Sequence, residues 1–193
     1  MKVLLATRNQ GKLTELRRIL ADRSDIELVG LADVPEYPET PETELTFAGN
    51  AVAKAVDGMK HTGLTCVADD SGLAVDALNG CPGVFSARWS GRHGDDRANL
   101  DLLLGQLADV PDEHRGASFV CAVALVHPDG SRQVVHGQMP GRVIREPRGT
   151  NGFGYDPIFV PDGREHTSAE LSAAQKDAIS HRGKALRALA ELL

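Results

Sequence analysis

Residues 65–75 read TCVADDSGLAV, an apolar run that leads directly into two adjacent aspartates. The run from Thr65 to Ala68 predicts a buried strand, and Leu73 to Val75 predicts that extended structure resumes. Between them, Asp69-Asp70-Ser71-Gly72 predicts a turn that places two carboxylates at the end of a strand. Successive strand residues face opposite ways, so one acid can point into a cleft while the other serves the turn.

Asp69 and Asp70 are costly to desolvate unless they are solvated, paired or bound to a metal. Oxygen ligands beside a phosphate substrate suit Mg²⁺, which keeps several waters and is shared by one or two carboxylates and the phosphates. An ordinary Asx-type turn is the alternative interpretation. The acidic loop upstream holds Glu42 and Glu44, and either could supply a second carboxylate, unless the loop is only a solvated run of charges.

The first twenty residues read as strand, polar loop and helix. Val3 to Ala6 is a short apolar run, and Leu13, Leu16 and Leu20 recur at helical spacing after the loop from Thr7 to Lys12. Backbone N–H groups at a helix N-terminus, together with a lysine, form a natural cradle for an anion. The loop lacks the Walker A pattern, and a plain turn with a solvated lysine is the alternative.

Patterning further along the chain predicts short strands, loops and helices. A proline-rich acidic segment up to Glu44 predicts a surface loop, and Thr46 predicts the N-cap of a helix that ends before Gly63. A hairpin is predicted around Pro128-Asp129-Gly130, and Ser180 predicts the N-cap of a final helix. The other predicted elements are strands at 26–29, 119–126, 133–135 and 158–160 and a helix marked by Leu100, Leu103, Leu104 and Leu107.

Two later segments carry candidate binding groups. The stretch Gly152-Phe153-Gly154-Tyr155-Asp156-Pro157 places two aromatics in a glycine-rich loop of a chain with only 4% aromatic residues. Such aromatics suit stacking on a base, and the aspartate could accept from a purine edge; the alternative is that both rings anchor the loop in the core. Lys176 and Ser180 could share a helix face, and His181 and Arg182 could donate to a carbonyl or phosphate or form ordinary surface charge.

Length and composition are those of an ordinary folded protein. With 193 residues, 41% hydrophobic and 25% charged, the chain suits one sizeable domain or two small lobes. The net charge of -6 argues against broad capture of a nucleic-acid backbone. The longest apolar run, Phe119 to Val126, is too short to span a bilayer and no signal peptide is evident, so we expect a cytoplasmic protein. Cys66, Cys81 and Cys121 indicate neither a disulfide framework nor a zinc site.

Five motifs, in order, give the chain a family resemblance. They are T-x-N-x-x-K at 7–12, ADDSGL at 68–73, PGVFSARWSG at 82–91, GFGYDPIF at 152–159 and AISHRGKAL at 178–186. With these motifs the chain resembles the inosine triphosphate pyrophosphatase (Ham1-like) family, which hydrolyses purine nucleoside triphosphates with non-standard bases. The resemblance implies an α/β fold over residues 1–193, a single domain of two lobes around an elongated mixed sheet flanked by helices, with the nucleotide cleft between the lobes. It also implies Mg²⁺ as cofactor and a homodimer.

The resemblance also implies roles for individual residues. Asp70 corresponds to the acid that binds the metal and activates water, Glu42 to a second metal carboxylate, and Ser71 to a residue of the same substrate-contacting turn. Lys176, His181 and Arg182 correspond to residues that close on the nucleotide and read the oxygen at purine position 6. The remaining substrate-binding positions are Thr7, Arg8, Asn9, Gln10, Gly11 and Lys12 for the phosphates and Phe153, Gly154, Tyr155 and Asp156 for the base.

One position departs from the family pattern, because Gly49-Asn50-Ala51 stands where the family often has Glu-Asn-Ala. If Thr46 is the N-cap, residue 49 is N3, and the missing Glu removes a capping box that typically contributes about 1 kcal/mol. A metal role for residue 49 is then lost as well. Glu42, Glu44 or Asp69 is expected to compensate.

The expected activity is hydrolysis of ITP, dITP and XTP to the monophosphate and pyrophosphate, by in-line attack of water on the α-phosphorus. No nucleic-acid or membrane partner is expected. One alternative is a pyrophosphatase for modified pyrimidine or methylated nucleotides. The other is a sensor that binds nucleotide without hydrolysing it.

Overall fold

Six strands of the described chain form one mixed sheet in the computed structural model, which describes residues 1–8, 10–21 and 23–193 and gives residues 10 and 15 by their backbone alone. The strands are β1 (Lys2–Leu5), β2 (Glu27–Gly30), β3 (Thr65–Val75), β4 (Gly116–Val126), β5 (Arg132–Val143) and β6 (Phe159–Pro161). Their order is β2-β1-β3-β4-β5-β6, with β1 parallel to β2 and β3, and β5 antiparallel to β6. The predicted α/β class and mixed sheet are confirmed.

Five α-helices accompany these strands in the described residues: α1 (Gln10–Ile19), α2 (Phe47–Thr62), α3 (Asp96–Gln106), α4 (Ala173–Ile179) and α5 (His181–Ala190). The ends of α2 follow from local signals that the sequence carries. The Thr46 side chain accepts a hydrogen bond from the Gly49 N–H at 3.0 Å, as an N-cap does. Gly63 ends the helix with a φ of 69°, a conformation that favours glycine. Both predicted ends of α2 are confirmed.

The first of two compact units comprises Met1–Asp70, Cys121–Gly137 and Gly183–Leu193. Alternate residues of β1 enter two different apolar cores, as the two faces of a strand require. Val3 packs with buried side chains of α1 and α5, whereas Leu4 packs with Ala51 and Ala55 of α2. Helices therefore cover both faces of the sheet within this unit, and α2 lies directly against β3 residues.

The second unit comprises Ser71–Val120 and Gln138–Arg182. Its core combines Leu73 and Val75 of β3 with Leu100 and Leu103 of α3, and Phe119 packs edge-on against Phe159 with ring centroids 4.7 Å apart. The prediction that both units belong to a single domain stays a prediction. Among the described residues, no helix is both long and apolar enough to cross a membrane.

The predicted acidic turn is wrong, because residues 65–75 form one uninterrupted strand that carries both aspartates. The carboxylates therefore lie inside β3 and not at its exit. Gly72 belongs to the strand for a packing reason: a Cβ there would lie 2.5 Å from the carbonyl oxygen of Gly83 and 2.9 Å from Cβ of Ser86. Glycine is required at position 72 because the segment 83–86 approaches the strand closely there, and not because the chain turns.

Ser180 also differs from its prediction. It is the C-cap of α4, its N–H donating to the Lys176 carbonyl at 2.8 Å, and α5 begins at the next residue. Lys176 and Ser180 therefore do not share a helix face, because α4 ends at Ile179. The sequence interpretation missed α4, although Ser172 and Gln175 form a capping box at its start.

Candidate active site

Asp69, the first of the two strand acids, is bound by Lys12. The lysine Nζ donates to both carboxylate oxygens, at 2.8 and 2.6 Å, and only 4% of the Asp69 side chain is exposed. Lys12 lies in the first turn of α1, so a helix and a strand distant in sequence position the pair. A buried carboxylate is costly without a partner, and this bidentate contact supplies one. Asp69 thus holds the lysine predicted to contact phosphate.

Asp70, the second strand acid, contacts two donors from α2. Its Oδ2 accepts a hydrogen bond from Asn50 Nδ2 at 2.9 Å, and its Oδ1 lies 3.3 Å from Lys54 Nζ. Burial raises the pKa of the Asp70 carboxyl above its usual range, although the Lys54 charge and the Asn50 hydrogen bond oppose that rise. An ionised carboxylate in such a setting is an effective acceptor for a proton of water.

Lys54 stands between two carboxylates. Its Nζ lies 2.5 Å from Glu42 Oε1 and 3.3 Å from Asp70 Oδ1. Burial alone would lower the pKa of this lysine, but the nearby carboxylates, Asp70 first, raise it overall, so Lys54 is a cation at neutral pH. The acidic loop and β3 therefore bring two acids to a single positive group.

Sequence reasoning missed Asn50 and Lys54, and the chain carried a signal for both. They are four residues apart on α2, which places them on one helix face. Asn50 is buried beside Ala51 in the otherwise apolar part of the helix, where a polar side chain needs a hydrogen-bonding partner. A buried amide one turn before a lysine, in a helix that follows an acidic loop, indicates a polar site.

Glu42 and Asp70 both contact the Lys54 ammonium, so the next question is whether these two carboxylates also suit a divalent metal. Mg²⁺ uses one or two protein carboxylates and takes its remaining ligands from water and substrate phosphates. In the part of the chain that the structure describes, no three His, Cys, Asp or Glu side chains gather into a complete cage. Two carboxylates without a cage fit an ion that is shared with a phosphate substrate.

Gly49 occupies position N3 of α2, and the space beside it is filled by Glu44. A Cβ on Gly49 would lie 2.7 Å from Cβ of Glu44. The Glu44 side chain is itself exposed, but its backbone N–H donates to Asn50 Oδ1 at 3.0 Å. This bond orients the Asn50 amide so that its nitrogen faces Asp70. Glu44 therefore supports the site through its backbone, while Glu42 brings a carboxylate to it.

The predicted phosphate loop, Thr7 to Lys12, follows β1 directly. The Thr7 N–H donates to the Leu5 carbonyl at 2.9 Å, and the exposed guanidinium of Arg8 lies 3.5 Å from Glu39. Asn9 lies outside the described residues, as does the side chain of Gln10. Gly11 and Lys12 belong to the first turn of α1. Within this loop, Lys12 is the residue that the structure places against the strand acids.

In the second unit, Asp156 organises the glycine-rich segment. Its side chain is 3% exposed, and Oδ2 accepts from the Phe153 N–H at 2.9 Å and from Lys176 Nζ. Lys176 Nζ also lies 5.4 Å from the centroid of the Phe153 ring. Gly152 has a φ of 73°, and a Cβ there would collide with the Asp156 carboxylate. Asp156 thus binds protein donors and holds Phe153 and Lys176 together.

The two aromatics of this segment have different environments. Phe153 is 58% exposed, whereas Tyr155 is buried and its hydroxyl donates to the Ser86 carbonyl at 2.8 Å. The Phe153 ring is more than half exposed, and Tyr155 anchors the segment in the core. Gly154 has a φ of 60°, and its N–H donates to Asp96 at 2.9 Å. Ser71 lies half-buried in β3.

His181 and Arg182 open helix α5. The buried His181 ring stacks on Phe119, with centroids 5.0 Å apart and planes 13° apart. Arg182 is half-buried in the same first turn. The stacking fixes the plane of the imidazole ring.

Comparison with known proteins finds relatives that match essentially the whole chain. The model of the Ham1 family matches residues 3–192. The dITP/XTP pyrophosphatase of Mycobacteroides abscessus is 63% identical over 195 residues, which cover 100% of this chain and 95% of that protein. The dITP/XTP pyrophosphatase of Nocardia farcinica is 63% identical over 97% of this chain and 92% of its own length.

Solved structures give the same result. The Staphylococcus aureus Ham1 protein is 38% identical, covers 100% of this chain and 97% of its own, and superimposes with a TM-score of 0.92. The resemblance that the five motifs indicated is thereby confirmed. The chain belongs to the Ham1 family.

Proposed function

We propose that this protein hydrolyses purine nucleoside triphosphates with deaminated bases, ITP, dITP and XTP, to the monophosphate and pyrophosphate. Its full-length relatives named dITP/XTP pyrophosphatase support the substrate class. The observation that carries the chemistry is Asp70, a buried carboxylate held by Asn50 and Lys54 and joined to Glu42 through Lys54. A charged acid held inside a strand by two polar partners, with a second acid on the same lysine, is characteristic of a reaction centre more than of a structural core.

Glu42 and Asp70 would hold Mg²⁺ in this proposal. When bound, Mg²⁺ neutralises phosphate charge and polarises the phosphoryl oxygens. The two carboxylates already converge on the Lys54 ammonium, so their positions are compatible with a shared cation. Lys54 would then turn toward the substrate phosphates, whose negative charge replaces that of the acids.

The chain's own residues provide orientation and charge. Asp70 orients a water molecule and accepts its proton as the water oxygen attacks the α-phosphorus. The bond between the α-phosphorus and the bridging oxygen breaks, and pyrophosphate leaves with that oxygen. Lys12, held in place by Asp69, offsets the charge that develops on the phosphates. The backbone N–H groups at the start of α1 suit the same anion.

The residues of the second unit are assigned to the base. The largely exposed ring of Phe153 suits stacking on a purine, and Lys176 Nζ lies over that ring. Lys176, His181 and Arg182 supply donors for an oxygen at purine position 6. Such donors discriminate against a 6-amino group, because a buried donor that faces another donor is left without an acceptor. Asp156 is assigned to positioning Lys176 and Phe153, because its Oδ2 already accepts from both.

A pyrophosphate-release assay with Mg²⁺ over a nucleotide panel tests the proposal. We expect turnover of ITP, dITP and XTP to exceed that of ATP, dUTP and 7-methyl-GTP. Faster turnover of a pyrimidine or methylated nucleotide would identify the alternative pyrophosphatase. Nucleotide binding without pyrophosphate release from any member of the panel would identify a sensor and end the enzyme proposal.

A cytoplasmic homodimer without nucleic-acid partners belongs to the same proposal. The exposed apolar residues Phe85 and Leu102 of the second unit and the net charge of -6 are compatible with it. Sedimentation equilibrium at micromolar concentration should give twice the chain mass of 20.6 kDa, and a single-chain mass would contradict the dimer.

A further inference from the structure

The acidic loop, which we define as residues 34–46, follows helix α2 through three side-chain contacts. In these contacts, loop residues of decreasing number (42, 40, 37) meet helix residues of increasing number (54, 57, 61), so the two segments run in opposite directions. The helix positions are spaced i, i+3 and i+7, which places them on one face. The contacts are Glu42 with Lys54 at 2.5 Å, Thr40 Oγ1 donating to Asp57 Oδ2 at 2.8 Å, and Tyr37 stacked on His61 with ring centroids 4.8 Å apart.

Two prolines set the conformation of this loop. Tyr37 precedes Pro38 and Thr40 precedes Pro41. A residue before proline is restricted to extended conformations, so both anchoring residues are held extended before any contact forms. The loop contains no helix or strand, and its course therefore depends on these restrictions and on its contacts with α2.

Gly58 makes room for one of these contacts. A Cβ at this position would lie 3.1 Å from the Tyr37 hydroxyl oxygen and 2.6 Å from Cys66 Sγ. The Tyr37 ring is half-buried against the helix at this point, and burial raises the pKa of its phenol to about 12. The Tyr37 ring therefore packs in direct contact with α2.

We infer that Thr40 and Tyr37 are positioning residues that fix the Glu42 carboxylate beside Asp70 and thereby set the affinity of this site for a divalent cation. The inference rests on the proposed function in one respect, namely that Glu42 and Asp70 bind the metal. Without its anchors the loop would be ordered only when the cation binds, and that loss of conformational entropy would be subtracted from the binding free energy. The chemistry at saturating metal would be unaffected.

The Thr40→Val substitution tests this inference because it keeps the shape of the side chain and removes the hydroxyl. Mn²⁺ alone is titrated into the nucleotide-free protein, and the free ion is measured by electron paramagnetic resonance. We expect T40V to weaken Mn²⁺ binding about fivefold, the effect of one lost hydrogen bond. With saturating Mg²⁺ and ITP, kcat should stay within twofold of that of the unsubstituted protein.

Matched variants separate positioning from general disruption of the loop. Thr40→Ser keeps the hydroxyl and should restore Mn²⁺ affinity. Thr43→Val makes the same change at an exposed position of the same loop and should leave the affinity unchanged. Tyr37→Leu, which removes the stacked ring, should weaken Mn²⁺ binding, whereas Tyr37→Phe should not.

Three results would overturn the inference: Mn²⁺ binding by T40V at full affinity, an equal loss in T43V, or no Mn²⁺ binding by the unsubstituted protein. Its failure is distinguishable from failure of the proposed function. Pyrophosphate release from ITP with unchanged metal affinity in T40V would remove the positioning role and leave the enzyme. Weakened Mn²⁺ binding in T40V without any pyrophosphate release would do the reverse.

Discussion

The two candidate groups differ in how their carboxylates are used. In the phosphate group, which we define as Lys12, Asp69, Asp70 and Lys54, two acids face two lysines and no aromatic ring takes part. In the base group, defined as Phe153, Asp156 and Lys176, one acid holds one lysine beside an exposed ring. The first arrangement places two lysines where they could meet phosphates, and the second presents an exposed aromatic ring with a cation over it.

This difference separates Asp70, which we propose acts on water, from the other two acids. Asp69 and Asp156 each contact a lysine at short range and are almost fully covered, so they position other groups. Asp70 keeps a longer contact of 3.3 Å with its lysine, and burial raises the pKa of its carboxyl. The least tightly paired of the three acids is the one assigned to the water molecule.

Removal of the Asp70 charge should have the largest effect. We expect Asp70→Asn to lower kcat for ITP about 10³-fold, since a general base typically contributes 10²–10⁴-fold, while nucleotide binding measured by calorimetry largely survives. Asp109→Asn, the same change at an exposed position, serves as the control and should leave kcat unchanged. Equal activity of D70N and the unsubstituted protein would remove Asp70 from the mechanism.

Substitution of Lys12 should affect both stability and turnover. Lys12→Met leaves the buried Asp69 carboxylate without this lysine, which should cost about 3 kcal/mol of unfolding free energy in urea titrations. Turnover of ITP should fall about 100-fold, because a cation aimed at the phosphates is lost.

The double variant K12M/D69N sharpens this prediction. It removes both charges, so stability should largely return while turnover stays low. Recovery of turnover together with stability would show that Lys12 is structural, and would assign the phosphates to other residues.

The two aromatics of the glycine-rich segment should separate binding from stability. Phe153→Ala removes an exposed stacking surface, so KM for ITP should rise about tenfold with little change in melting temperature. Phe153→Trp should retain a low KM. A melting temperature lowered as much as that of a core variant would contradict the assignment of Phe153 to the base.

The smallest effect is expected at Tyr155. Tyr155→Phe removes the hydrogen bond to the Ser86 carbonyl and should lower the unfolding free energy by about 1 kcal/mol, with KM for ITP unchanged. An increase in KM equal to that of F153A would show that the two rings are not divided between base and core.

Local signals predicted much of the fold. Thr46 and Gly63 bound α2 as expected, because each cap bonds locally: the Thr46 hydroxyl accepts from Gly49, and the Gly63 N–H donates to the Met59 carbonyl. The apolar runs of β1 and β4 likewise predicted strands. The predicted acidic turn is wrong because lysines of α1 and α2 pair with the two aspartates and allow the strand to continue. A local sequence pattern does not show these partners, which are distant in the chain.

Candidate site residues were predictable mainly through the ordered motifs. Spacing alone could not distinguish a metal-binding Asp70 from an aspartate in an ordinary Asx turn. It also could not distinguish a base-stacking Phe153 from one that anchors the loop in the core. Lys54 and Asn50 were missed because their partners lie 16 and 20 residues away on another element, a separation that no local pattern records. Ser180 was assigned to the wrong helix end because a serine at a boundary between two helices suits either role.

Hydrolysis of ITP in water enriched in oxygen-18 tests the central claim that water attacks the α-phosphorus. Phosphorus NMR of the products locates the label directly. We expect the heavy oxygen to enter the monophosphate and the pyrophosphate to stay unlabelled. Label in the pyrophosphate, or release of orthophosphate as the first product, would contradict it.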